Sequence, residues 1–383
     1  MEHFPAVIIG GPPDSGKSVL TANLTQILRK RGVAHYVLRA CPDGEGDWTH
    51  LADQEQVRTL LVPRQWTPSF VEHICRDLEH RHLPLLVDVG GRPQPWQEVI
   101  FDHCTHAILL TRDEASRRAW LDRVTGHGLI LLADLRSELG GENSLTAKLP
   151  VLRGTLAGLE WGTRLKNPLF EALTERLIRL FAYDVEALRQ VHLDAAPVET
   201  VIDLDRLART LNVPCRQEQA VWEPRHLPDV LDYLPQAVSL GAYGRGPNWL
   251  YAALALHAAP SSFVQFDVRL GWVEALSLRL KSPAPTAPLQ IQIHGRPDYV
   301  HVEGLLPTAY IDYGQLDSLT VPPVRAGTGV VLSGKLPHWL TTSLALTYRA
   351  APWIAVYQPQ LDGAAVVYST DPAWPVGKRL PLR

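Results

Sequence analysis

The sequence predicts an α/β chain whose first half is a parallel sheet covered by helices and whose second half is two tandem α+β copies. Three observations carry that expectation. Short strands, apolar throughout, alternate with amphipathic helices over the first part of the chain. A glycine-containing loop joins the first strand to the first helix. One long residue pattern occurs twice in the second half.

The elements follow in order. Ala6-Val7-Ile8-Ile9 is a short apolar strand. Lys17 to Lys30 has helical spacing, with Leu20, Leu24, Ile27 and Leu28 on one face. Ala34 to Leu38 reads as strand and Ser69 to His80 as helix. Leu83 to Val87 and His106 to Leu110 are continuous apolar strands, each followed by a polar turn. Glu114 to Val124 reads as helix, Gly128 to Leu132 as strand, and Asn167 to Leu180 as a closing amphipathic helix. The pattern changes between Val191 and Val198, and the main boundary is placed near Ala195. A short helix, Asp203 to Leu211, leads into a stretch dotted with Pro214, Pro224, Pro228 and Pro235.

The repeat straddles the clearest linker, Lys281-Ser-Pro-Ala-Pro-Thr-Ala-Pro288, whose prolines can continue neither a helix nor an inner strand. The first copy is Gly244-Arg245-Gly246-Pro247-Asn248-Trp249-Leu250, ending Leu254-Ala255-Leu256. The second is Gly334-Lys335-Leu336-Pro337-His338-Trp339-Leu340, ending Leu344-Ala345-Leu346. Each follows an apolar strand (Ala237 to Ala242; Gly329 to Ser333) and precedes another (Phe263 to Phe266; Trp353 to Tyr357). Two such copies predict an internal pseudo-dimer. The expected domains are residues 1–195, 196–282 and 283–383. Trp249 and Trp339 are read as core plugs rather than ligand contacts.

Composition narrows the classes. The chain has 383 residues, 46% hydrophobic and 20% charged, an ordinary globular balance. A formal net charge of −3 argues against a duplex nucleic acid partner. Cys41, Cys75, Cys104 and Cys215 have no metal-ligand or redox spacing, which fits a reducing compartment. No signal peptide is read at Met1–Pro5 and no apolar run reaches membrane length, so a cytoplasmic protein without a membrane partner is expected.

Gly11-Pro12-Pro13-Asp14-Ser15-Gly16-Lys17-Ser18 fits G-x-x-x-x-G-K-[ST], the P-loop, between a strand and a helix. Backbone N–H groups point at phosphate oxygens in such a loop. Pro12 and Pro13 lack N–H groups, so the donors come from Asp14 to Ser18. Gly16 allows close approach, Lys17 reaches the terminal phosphates, and Ser18 holds Mg²⁺. ATP with Mg²⁺ is therefore the expected cofactor, bound through Gly11, Asp14, Ser15, Gly16, Lys17 and Ser18. Asp88, ending an apolar strand, is the expected second metal contact. Asp43, Glu45 and Asp47 form an acidic loop, read as solvated. Arg112, Arg117 and Arg118 are read as a solvated helix face. No catalytic base stands out.

Gly244-Arg245-Gly246-Pro247 opens a helix, with proline near its first turn. The N–H groups there, with a guanidinium, make an anion site. Gly334-Lys335 repeats it in weaker form. Two such sites related by pseudo-symmetry suit a ligand with several phosphates and its own symmetry.

The copies resemble the small CRISPR-associated ring nucleases of type III systems, which bind and cleave cyclic tetra-adenylate. In the second copy the resemblance rests on Val330-Val331-Leu332-Ser333-Gly334-Lys335, Pro337, Trp339-Leu340 and Ala355-Val356-Tyr357-Gln358-Pro359-Gln360-Leu361. In the first it rests on Gly244-Arg245-Gly246-Pro247, Trp249-Leu250 and Phe266-Asp267-Val268-Arg269-Leu270-Gly271. It implies two ring-nuclease-like modules, here fused to a P-loop ATPase domain. It implies a cyclic oligoadenylate partner held by Gly244, Arg245, Gly246, Ser333, Gly334 and Lys335. It further implies catalysis by Asp267 and Arg269, with His257 near the family histidine's place, and a role for Mn²⁺ in ring cleavage. The second copy departs from the pattern, with Arg349, Gln358 and Gln360 at the family's catalytic places, and looks catalytically dead.

The expected function is therefore binding and degradation of cyclic oligoadenylate, coupled to ATP. One alternative is a sensor that binds the ring without cutting it and controls the P-loop domain. Another is a P-loop small-molecule kinase with an oligomerisation module. A homo-oligomer is expected in each case. Under all three readings Lys17→Ala abolishes ATP binding by calorimetry, and unchanged affinity overturns the P-loop assignment.

Overall fold

The computed structural model describes residues 4–42, 66–160, 162–216, 219–308 and 310–381. The acidic loop of Asp43, Glu45 and Asp47 lies outside the described residues. The chain forms two compact units. The first is Met1–Leu188 with Val268–Leu270; the second is Arg189–Asp267 with Gly271–Arg383. The sequence had placed the change of pattern at residue 195.

Unit 1 is mixed α/β, with a seven-stranded sheet. Its strands are β1 Ala6–Gly10, β2 Tyr36–Ala40, β3 Leu85–Val89, β4 His106–Thr111, β5 Ile130–Glu138, β6 Ser144–Ala147 and β7 Leu152–Ala157. Their order is β2-β3-β1-β4-β5-β7-β6. All neighbours are parallel except the β6–β7 pair at the edge. Every residue of β1 and β3 is buried, as strands covered on both faces require. Helix α1, Lys17–Lys30, presses Leu20, Leu24 and Leu28 into the core. Helices α2 (Pro68–Glu79), α3 (Glu114–Gly126) and α4 (Pro168–Leu180) complete the layers. Asn167 caps α4, its Oδ1 accepting from Phe170 N at 2.8 Å.

Three boundaries differ from expectation. β2 and β3 start at Tyr36 and Leu85, later than the apolar runs that announce them. β5 runs on to Glu138 and the chain returns through β6, an exposed edge strand that gives no apolar signal, and β7.

Unit 2 carries the two copies. The first contains β8 Thr200–Asp203, β9 Leu240–Tyr243, β10 Phe263–Asp267 and β11 Gly271–Glu274. β8, β9 and β10 pair in parallel and β11 pairs antiparallel to β10. The second contains β12 Gln290–Gly295, β13 Tyr299–Leu305, β14 Gly329–Gly334, β15 Trp353–Gln358, β16 Gly363–Ser369 and β17 Arg379–Leu380. Here β13, β14 and β15 are parallel and β16 is antiparallel to β15. Strand order and sense thus repeat, with β12 and β17 added at the edges.

Two short helices lie between β8 and β9 of the first copy: α5, Leu204–Thr210, capped by Asp203, and α6, Leu227–Tyr233. α6 lies inside the proline-dotted stretch, because Pro228 sits in its first turn, where a missing N–H costs nothing. Each copy then has one main helix, α7 Asn248–Ala258 and α8 His338–Thr347.

Helix α7 is buried from Trp249 through Leu256 and again at Ala258. It packs on α8, on β9 and β10, and on β15 and β16 of the other copy. One continuous core therefore joins both copies. Gln265 of β10 accepts a buried hydrogen bond from Thr342 Oγ1 of α8 at 3.1 Å. Trp249 and Trp339 are each 1% exposed, the core positions their sequence context predicted. Trp339→Ala lowers unit-2 stability by about 3–5 kcal/mol, read as a lower urea midpoint at unchanged slope.

Candidate functional site

The loop after β1 is shaped by backbone constraint. Gly16 closes it at φ 87°, and a Cβ there would lie 2.7 Å from Leu159 Cδ1. The side chain of Lys17 folds over the loop, Nζ donating to the carbonyls of Gly11 at 2.9 Å and Pro12 at 2.7 Å. Burial lowers its pKa, against the opposing pull of Asp88. Parallel pairing sets Asp88 of β3 beside Ile9 of β1. Ser18 Oγ donates to Asp88 Oδ2 at 3.2 Å. Ser15 Oγ is buried with no hydrogen-bond partner among the described residues.

A hydroxyl and a carboxylate thus converge beside a buried ammonium and the N-terminus of α1. Hard oxygen donors of this kind suit Mg²⁺ completed by phosphate oxygens and water. The orphaned Ser15 hydroxyl suits an anion's oxygen.

The arginines after β4 separate. Arg112 Nη2 donates to the loop carbonyls of Pro13, at 3.4 Å, and Asp14. It braces the loop from an exposed position just before α3. Arg117 forks onto buried Asp134, its Nη2 2.6 Å from Oδ2. Arg118 stays exposed, paired with Glu114 at 3.2 Å.

In unit 2 the two helix starts come together. Tyr251, in the first turn of α7, donates its hydroxyl to Gly244 O at 2.6 Å. Burial pushes this phenol's pKa up, and the Asp267 charge adds to it; a hydrogen bond from Gly246 opposes them. Asp205 and Arg245 also act on the phenol. Asp267 and Arg245 are therefore near enough to act on this phenol, and Gly246 bonds to it. At the other start, Gly334 has φ 130°, and a Cβ there would lie 2.2 Å from Gly304 O, so only glycine fits. Ser333 Oγ lies 2.7 Å from His301 Nε2, an imidazole whose pKa burial lowers. His338, the first residue of α8, is exposed. Its ring centroid lies 4.8 Å from that of Tyr251. Tyr251 is bonded to Gly244 and His338 follows Gly334 by four residues, so this contact joins the two helix starts.

The residues expected to catalyse are not gathered. His257 ends α7, where Nε2 meets Leu234 O at 3.1 Å and its carbonyl accepts from Ala237 N. That places it near the start of β9, whereas Asp267 lies at the far end of the parallel neighbour β10. A five-residue strand separates its ends by roughly 13–16 Å. Arg269 belongs to unit 1, where Nη1 pairs with buried Asp77 Oδ2 at 3.2 Å. Within the chain His257 and Asp267 thus stand at opposite ends of the parallel strands, whereas Asp267 and Arg269 are two residues apart. Among the described residues no group of three or more His, Cys, Asp or Glu is placed to hold a metal.

Tyr251 and His338 were missed in the sequence. Tyr251 hides in an otherwise aliphatic run, and His338 occupies a position where the copies differ, Asn248 standing in the first. Gly16→Ala forces a side chain into left-handed backbone at a cost of about 1–3 kcal/mol. It lowers the melting temperature and weakens tripolyphosphate binding in a thermal-shift titration.

No described helix is long and apolar enough to cross a membrane. Residues 305–381 match the family model of a CRISPR-associated protein, Cas_csx3. The match runs from the last residue of β13 through β17 and so covers most of the second copy. It indicates a CRISPR-associated protein.

Proposed function

We propose that unit 2 binds a cyclic oligoadenylate, cyclic tetra-adenylate in the first instance, and opens it, while the unit 1 loop binds ATP with Mg²⁺. One observation carries the ring-binding reading. Tyr251 and His338 touch, so two helix N-termini, each with a glycine and a basic residue, face one place. A helix N-terminus favours an anion by its unpaired N–H groups and its dipole. Two of them, related as the copies of an internal pseudo-dimer, suit a ring whose phosphates are themselves related by rotation. The family match over the second copy supports the same reading.

The proposed contacts are Gly244, Arg245 and Gly246 from the first copy and Ser333, Gly334 and Lys335 from the second. In unit 1, Gly11 to Ser18 hold the triphosphate, Lys17 turning from its carbonyl partners to the phosphates. Ser18 and Asp88 hold Mg²⁺, which shields phosphate charge when bound.

A second reading is a sensor that binds the ring intact. The separation of His257 from Asp267 favours it, as do Arg349, Gln358 and Gln360 in the second copy.

Calorimetry with cyclic tetra-adenylate tests the proposal. The full chain binds at micromolar protein or below. Arg245→Ala weakens binding by roughly 10- to 100-fold, as expected for one charge-assisted phosphate contact. Absence of binding at micromolar protein overturns the ring-binding reading. ATP binding that persists in Lys17→Ala overturns the unit 1 assignment.

A further inference from the structure

We infer that unit 1 has a second ligand site, a cavity on its sheet that takes the phosphate monoester of a small sugar. It lies apart from the loop of Gly11 to Ser18 and rests on neither the ATP nor the ring-binding reading.

Strand alternation makes the cavity. In β5 and β7, Leu135, Leu152 and Leu156 turn to the core shared with Leu169 and Phe170 of α4. Asp134, Arg136, Arg153 and Thr155 alternate with them and turn to the other face. Pairing sets Arg153 beside Asp134, and both Thr111 of β4 and Thr155 beside Arg136. Strands covered on both faces are apolar on both, and here one face is polar. Helix α3 lies over β4 and β5, where Arg117 forks onto Asp134. Beyond it the face opens into a cavity of about 620 Å³, which these residues line with Arg112. That volume is ordinary for a small-molecule site.

The charges in the cavity select the ligand. Its carboxylates are already engaged. Asp134 takes the Arg117 fork and has Arg153 Nε at 3.6 Å. Asp113 accepts from Ser116 N at 2.8 Å and so caps α3. Glu114 meets Arg117 at 3.1 Å and Arg118 at 3.2 Å. The guanidiniums keep donors in reserve, because each has five N–H groups. Arg136 spends Nε on Glu138 at 2.9 Å, and Arg112 spends Nη2 on the loop carbonyls. Arginine forks of this kind match a phosphate's oxygens.

The floor adds hydroxyl partners. Thr111 is 3% exposed and makes no side-chain hydrogen bond among the described residues. Thr155 is half-buried on the same face. A merely solvated sheet face would leave its floor exposed. Here Thr111 and Asp134 are buried beneath exposed Arg136 and Arg153. A buried polar floor under a cationic rim suits a ligand with hydroxyls at one end and a phosphate at the other.

Calorimetry of the full-length chain with ribose 5-phosphate tests the site. Wild type and Lys17→Ala bind it equally well, with dissociation constants below a millimolar. Arg153→Gln and Arg136→Gln, both at exposed positions, keep the wild-type melting temperature. Each weakens binding roughly 10- to 100-fold, as expected for a charge-assisted phosphate contact. Inorganic phosphate binds roughly 10-fold more weakly than the ester, because it leaves the hydroxyl partners unmet. A wild type that does not bind ribose 5-phosphate at millimolar concentration overturns the inference. So does binding that is lost in Lys17→Ala and kept in both arginine variants, which assigns the anion to the phosphate loop. Inorganic phosphate that binds as tightly as the ester overturns it too, leaving an adventitious ion only.

Discussion

Helix α7 has no polar face. Trp249 through Leu256 are all buried, and a large apolar side chain gains about 1.5–3 kcal/mol from full burial. Such a helix must be covered on every side, and the sheet of one copy can cover only one. β15 and β16 of the second copy, with α8, supply the rest of the cover. The two copies are therefore obliged to share one core. Their helices pack together with the starts adjacent, as the contact between Tyr251 and His338 records.

That constraint also decides where polar chemistry can sit. The flanks of α7 are closed, so charged groups are left to its ends. The N-terminal end gathers Arg245, Asp267 and Tyr251, and the second copy adds His338. The C-terminal end holds His257, occupied with the Leu234 carbonyl.

Unit 1 depends on a different constraint, strand register. Parallel pairing of β1 with β3 brings Asp88 level with Ile9, and Ser18 then meets its carboxylate. A shift by one residue would turn Asp88 to the other face of the sheet. Lys17 bears the cost of burial and is offset by two loop carbonyls. Arg112 binds further carbonyls of the same loop. The loop's carbonyls are thus held by two cations, Lys17 and Arg112.

The sequence by itself determined what is local or periodic. Helix α1 begins and ends where its spacing says, because helical hydrogen bonds reach only four residues along the chain. The loop from Gly11 to Ser18, the repeat and the burial of Trp249 and Trp339 were equally legible. Strand ends were less so, since β6 is an exposed edge strand that needs no apolar pattern and β7 interrupts its apolar residues with Arg153 and Thr155. Only the tertiary structure decided the long-range pairings. It joined Arg112 to the loop, Tyr251 to His338 and Arg269 to Asp77. It set His257 and Asp267 at opposite ends of neighbouring parallel strands, although ten residues of chain separate them. Spacing along the chain fixes neighbours within a turn or a strand. Which distant side chains meet is fixed by strand direction and by the need to bury α7, and neither is written at any one position.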